Sequence, residues 1–134
     1  MKKGDDLSIL TKNITQNGIA KYAEASGDFN PIHLDESFAQ TTPFKGTIAH
    51  GMLLLGFVSE LMSDIFGNVW AESGKLRVRF REAARPGDTI TVTGTISAVQ
   101  ENEGTITTRC ALECRNQTGT VLITGEGSTM VEAQ

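Results

Sequence analysis

The chain has no excess of positive charge, no long hydrophobic run, no leader-like start and only 2 cysteines. Twelve Lys and Arg stand against 16 Asp and Glu, a net charge of −4. A nucleic-acid surface needs a basic stripe or patch, so that class of partner is set aside; a local basic patch for a phosphorylated ligand stays open. The longest apolar stretch, Met52 to Val58, is far short of the roughly 20 residues that cross a bilayer, which excludes membrane insertion through a helix. The start, Met1-Lys2-Lys3-Gly4-Asp5-Asp6, turns acidic where a secretory signal would turn apolar. Cys110 and Cys114 would share one face of a strand, about 13 Å apart at a rise of ~3.3 Å per residue. That is beyond the roughly 7 Å between Cα atoms that a disulfide allows. Both therefore read as reduced thiols of a cytoplasmic protein. With no histidine near them in sequence, they do not read as metal ligands. Repeats, low-complexity tracts and Pro/Ser linkers are absent too, so residues 1–134 read as a single domain of ordinary size.

Hydrophobic residues make up 39% of the chain and charged ones 21%, the balance of a globular protein able to bury one core. Leu7, Ile9 and Thr11 alternate with polar neighbours and predict a short first strand. Thr15 reads as an N-cap, with Ile14 and Ile19 at hydrophobic-staple positions, opening a helix over residues 16–25 that Gly27 closes. Leu34 to Gln40 predict one or two further helical turns, and Thr41 to Thr47 a loop. From His50 to Phe66 apolar residues cover most of a helical circumference, so this helix should be wrapped by other structure. Its length at ~1.5 Å per residue is about 25 Å, and Gly67-Asn68 stops it.

Beyond that point the pattern has period two: Leu76, Val78 and Phe80; Ile90, Val92, Ile96 and Ala98; alternate residues from Ile106 to Cys114; then Val121, Ile123 and Val131. The turns at 86–88, 102–104 and 116–119 are short, which implies an antiparallel sheet. The expected architecture is α+β, a curved antiparallel sheet of about five strands wrapped around one long apolar helix. Such a sheet leaves one flank of the helix open. A second copy would cover that flank and extend the sheet, so a homodimer is expected at least, with higher oligomers open.

One run carries chemistry. Gly27-Asp28-Phe29-Asn30-Pro31-Ile32-His33 sets a carboxylate and an imidazole five positions apart, with a chain-stiffening proline between them. A carboxylate and a histidine that converge on one point can hold and deprotonate a water. That is the minimum needed to add water to an activated double bond or to remove it. Taken alone, Asp28 reads equally as a turn residue bonding backbone amides, and His33 as a buried structural histidine.

Tyr22, Ser26, Gly27, Asp28, Asn30, Pro31, Ile32, His33 and Ala39 resemble, without a gap, the hydratase signature of the MaoC-like, or (R)-specific enoyl-CoA hydratase, branch of the hotdog-fold superfamily. Ile48-Ala49-His50-Gly51-Met52 is similar to the family's aliphatic-x-His-Gly-Met at the start of the hotdog helix. Phe80 to Asp88 is similar to a third element, Phe followed by Pro-x-x-Gly-Asp, with Pro86 moved next to Gly87. The resemblance covers nearly the whole chain and implies a single hotdog domain.

It further implies reversible hydration of a trans-2-enoyl-CoA to an (R)-3-hydroxyacyl-CoA by a soluble homodimer. No metal or redox cofactor is implied; CoA arrives as part of the substrate. Asp28, partly buried, would orient the water and take its proton, with His33 as its partner on the same water. Gly51, where the apolar helix starts, would offer its unpaired N–H to the thioester carbonyl; the alternative is packing against the sheet. Asn30 would orient the loop or the carboxylate. Ser59 matches a family serine close to the pair, and a bond back to its own helix is equally open. His50 has three readings, as helix cap, site lining or dimer contact, and is not read as the base. Lys75, Arg77, Arg79 and Arg81 give one strand a basic face, suited to CoA phosphates or simply solvated.

Other functions compete with this one. The same chemistry could run as dehydration of a 3-hydroxyacyl group on an acyl carrier protein, or of a specialised acyl-CoA. A non-catalytic acyl-thioester-binding subunit has no chemical reason to keep both Asp28 and His33. A thioesterase would need a base aimed at the carbonyl, and this motif is not the thioesterase pattern.

Overall fold

The computed structural model describes residues 1–134. Along the chain lie strand β1 (Leu10–Asn13), helix α1 (Gln16–Ser26), the single turns α2 (Pro31–Leu34) and α3 (Glu36–Ala39), and the long helix α4 (Gly51–Phe66). A short helix α5 (Asn68–Ser73) follows, and then β2 (Lys75–Phe80), β3 (Thr89–Asn102), β4 (Thr105–Arg115) and β5 (Val121–Glu132). The strands form one antiparallel sheet in the order β1-β3-β4-β5-β2. With the long helix packed on it, this is the hotdog arrangement.

Local chemistry explains the elements that place the site. Thr15 caps α1, its hydroxyl accepting the Gly18 N–H at 2.9 Å. Ile14 and Ile19 on either side of the cap are both buried. Gly27 ends the helix in the left-handed region at φ 78°, and its N–H donates to the Ala23 carbonyl, a conformation that costs glycine nothing. On α4 the buried residues are Leu54, Val58, Leu61 and Met62, one stripe at helical spacing. They pack against Ile90, Val92 and Ile96 of β3, Cys110, Leu112 and Cys114 of β4, and Leu122 and Ile123 of β5. Each such side chain contributes about 1.5–3 kcal/mol by leaving water. Both cysteines are free and buried. Burial pushes the Cys110 thiol up to about 11, with Glu126 adding to the effect, and the Cys114 thiol up to about 12. No helix is long and apolar enough to cross a membrane.

Several expectations need correction. Leu7 is buried, but Ile9 is 66% exposed. The first strand starts at Leu10, and Leu10 and Lys12, not Ile9 and Thr11, face inward. Leu7 instead precedes it in a separate stretch joined to β3 by an isolated bridge, Asp6 to Thr95, where the Leu7 N–H donates to the Gly94 carbonyl at 2.9 Å. The long helix begins at Gly51, with His50 as its flanking residue. Gly67 ends it, but α5 follows at once where no helix was expected. Phe80 and Val131 lie near strand ends and are exposed, Phe80 with its ring beside Gly51 at the start of α4.

Candidate active site

The loop between α1 and α2 is built from nested backbone–side-chain bonds. The Asp28 N–H donates to Ser26 Oγ at 3.2 Å, and Asp28 Oδ1 accepts the Asn30 N–H at 3.1 Å. Asn30 Oδ1 in turn accepts the Ile32 N–H at 3.0 Å, capping α2. Pro31 fills the first helical position, where an N–H would have no partner. Asn30 thus orders the loop, and its backbone holds one oxygen of the Asp28 carboxylate.

The single turn of α2 carries His33 into the interior, and its Nδ1 lies 2.8 Å from the Ile48 carbonyl oxygen. A carbonyl only accepts, so Nδ1 carries the hydrogen and the neutral ring keeps its lone pair on Nε2. Nε2 stands 3.9 Å from Asp28 Oδ2. That separation is too long for a direct hydrogen bond, but one water oxygen about 2.8 Å from each atom would bridge it. Asp28 is less covered than expected: its side chain is 52% exposed, because no other element of this chain folds over the loop.

A second layer fixes His33 from behind. Gln16 Nε2 donates to the His33 carbonyl at 2.8 Å, and Gln16 Oε1 accepts from Thr47 Oγ1 at 2.8 Å. The Thr47 N–H donates to Glu36 Oε2 at 3.1 Å, while Glu36 Oε1 accepts from Gln40 Nε2 at 2.8 Å. The Gln40 amide, followed by the Thr47 N–H, holds the Glu36 carboxyl below its ordinary value. Sequence reasoning passed over Gln16 and Thr47. Gln16 stands 17 residues from His33 and 31 from Thr47, and no periodicity or motif links them.

His50 flanks α4 without a side-chain cap bond, so its ring is not a cap. It is 2% exposed and stacked on His33, with ring centroids 3.8 Å apart and planes 24° apart. Tyr22 packs against it at 4.8 Å, and its Nε2 lies 3.0 Å from the Asp28 carbonyl oxygen. Its Nδ1 is buried with no partner. Asp28, His33 and His50 do bring donor atoms within 4.8 Å of one another, but they are not arranged as a ligand set. Stacked rings point their lone pairs side by side, whereas a metal needs them to converge. His50 Nε2 is also already committed to the carbonyl.

Gly51 opens α4, and its N–H has no acceptor within the chain. A Cβ there would meet the Phe80 ring at 3.1 Å. Gly51 lines a cleft of about 270 Å³ with Phe44, Ile48, Leu54, Phe80 and Ala84. Ile48 belongs both to this wall and to the anchor of His33, so the cleft adjoins the pair.

Ser59 is elsewhere. Eight residues along α4, about 12 Å from Gly51, its hydroxyl accepts the Trp70 indole N–H at 2.9 Å. It lines an open depression with Met52, Leu55, Gly56 and Leu76. Its partner comes from α5, so neither expected bond forms. Arg77, Arg79 and Arg81 line a surface groove of about 280 Å³ beside β5, and Arg81 also borders the cleft at Gly51.

Residues 4–116 match the family model described as MaoC like domain. The chain is 36% identical over all its 134 residues to an (R)-specific enoyl-CoA hydratase of Rhodospirillum rubrum, of which it covers 90%. It is 34% identical over 123 residues to an (R)-specific enoyl-CoA hydratase of Aeromonas caviae, covering 87% of this chain and 86% of that one. Among solved structures, an R-hydratase of Pseudomonas aeruginosa in unliganded form aligns with a TM-score of 0.83 at 28% identity, over 100% of this chain and 84% of that one.

Proposed function

Because the chain belongs to the MaoC like domain family, we propose that it is an (R)-specific enoyl-CoA hydratase, adding water reversibly to a trans-2-enoyl-CoA. It is a hydro-lyase of the hydratase and dehydratase class. The observation that carries the finer reading is the 3.9 Å gap between Asp28 Oδ2 and His33 Nε2, with the His33 tautomer fixed by the Ile48 carbonyl.

In that state both groups accept hydrogen bonds. A water between them donates one hydrogen to each and turns an oxygen lone pair outward, toward C3 of a bound enoyl thioester. As the O–C3 bond forms, one O–H bond breaks and its proton passes to Asp28. The C2=C3 electron pair moves toward the thioester oxygen as an enolate, where the free Gly51 N–H supplies a hydrogen bond. The pair then returns one proton to C2, which completes the addition of H and OH. The chain's own residues thus supply the base, the acid and the oxyanion donor, so the proposed reaction calls for no metal or redox cofactor. Arg81, which lines both the cleft and the Arg77–Arg79 groove, would supply a positive charge for the CoA phosphates.

A half-exposed carboxylate is a poor site for enolate chemistry, which gains from exclusion of water. A homodimer supplies the missing cover. The open face of α4 at Met52 and Leu55 and the unpaired edge of β2 offer a second copy an apolar surface and a strand to extend.

The test follows the conjugated enoyl-thioester absorbance of crotonyl-CoA. Wild type should abolish it rapidly, and Asp28→Asn and His33→Gln should each slow the loss by about 10²–10⁴-fold. Folded wild-type protein that leaves crotonyl-CoA and longer enoyl-CoAs untouched would sink the reading.

A further inference from the structure

Two buried imidazoles lie face to face at the water site, and the proposed reaction uses only one. The bonds that shape the Asp28 loop between Ser26 and His33 are local, the longest running from the His33 N–H to the Asn30 carbonyl at 3.0 Å. They set its local turn and tie it to the start of α2, but none of them holds the Asp28 carbonyl. The bond that does so crosses 22 residues, from His50 Nε2 to the Asp28 carbonyl. The Ile48 carbonyl fixes the His33 ring within its own plane; what bounds it from the face is the His50 ring. His50 therefore touches both members of the pair.

We propose that His50 is a positioning residue, held as the Nε2–H tautomer opposite to that of His33, which sets the Asp28-to-His33 spacing by holding the Asp28 carbonyl and backing the His33 ring. The tautomer follows from its surroundings. Nε2 faces a carbonyl, which can only accept, so the hydrogen is there. Nδ1 is buried with no acceptor near it, and a hydrogen there would be an orphaned buried donor. Two backbone carbonyls, of Ile48 and Asp28, thus set opposite tautomers on two stacked rings.

The role rests on the reading of Asp28 and His33 as the water-holding pair, and the test separates the two. His50→Phe keeps an aromatic face against His33 and loses the donor; His50→Gln keeps a donor and loses the face. Each should lower kcat on crotonyl-CoA by about ten- to a hundredfold, as expected for a small misplacement of catalytic groups. KM should stay within about threefold, because the residue acts through the pair and not on the acyl chain.

Imidazole nitrogen NMR of the wild type in mildly alkaline buffer should show His50 protonated at Nε2 and His33 at Nδ1. Folded variants with wild-type kcat, or a wild-type spectrum with the hydrogen of His50 on Nδ1, would overturn the proposal. If neither variant folds, the wild-type spectrum decides. If the wild type fails to hydrate crotonyl-CoA, the hydratase reading falls, while the spectrum still judges the tautomers.

Discussion

Thr47 ties three segments together through one hydroxyl and one N–H, bonded to Gln16 and Glu36. Thr47→Val keeps its shape but leaves Gln16 Oε1 without a donor. The expected cost is about 1–3 kcal/mol in a denaturant midpoint, with a smaller fall in hydration rate than His33→Gln gives. Glu36 adds a pH dependence whose sign is fixed. Its folded carboxyl lies below the ordinary 4.5, so its contribution is present above that pH and is lost as pH falls through the lowered folded value. Glu36→Gln should therefore flatten the acid side of a plot of unfolding midpoint against pH; an unchanged slope would remove Glu36 from the network. Asp28 and His33 could be singled out as a candidate pair from sequence because one short segment, residues 27–33, carries both. Gln16 and Thr47 could not, because their meeting depends on how α1 packs beside the loop that enters α4.

The inward faces of β3 and β4 followed from period two because one side of each strand meets α4. The same rule failed at β1, where Leu7 and Leu10 belong to separate contacts with the sheet. It also failed at β5, where Leu122 and Ile123 are buried side by side next to the register shift at Cys114 and Arg115. A helix as short as α5 shows too little periodicity to be read at all. The buried thiols of β4 carry a prediction at this scale. With folded values raised to about 11 and 12 from the usual 9.0, their contribution to stability is intact below pH 9.0 and is lost as pH rises through the folded values. Native protein should resist a thiol-alkylating reagent that modifies both cysteines once urea unfolds the chain. Rapid native labelling would mean that β4 opens locally.

For the molecule as a whole, the sequence pattern supplied the helix-on-sheet arrangement and pointed to an uncovered flank. What it could not supply was which side chains stand there, since that depends on the turn of α4 about its own axis. Met52 is 57% exposed on that face, and a Cβ on Gly56 would meet nothing within 4 Å. Gly56→Arg should therefore fold as a single chain yet block a second copy. Light scattering should report a dimer for wild type and a monomer for the variant, with hydration lost in the variant; a dimeric Gly56→Arg would place the interface elsewhere. The bond between Trp70 and Ser59 also makes the protein its own optical probe. Trp70 is the only tryptophan, and it borders the same open depression as Met52, Leu55 and Gly56. Ultraviolet emission excited in the indole band thus comes from one spot, so subunit dissociation on dilution should appear as a red shift in unlabelled protein.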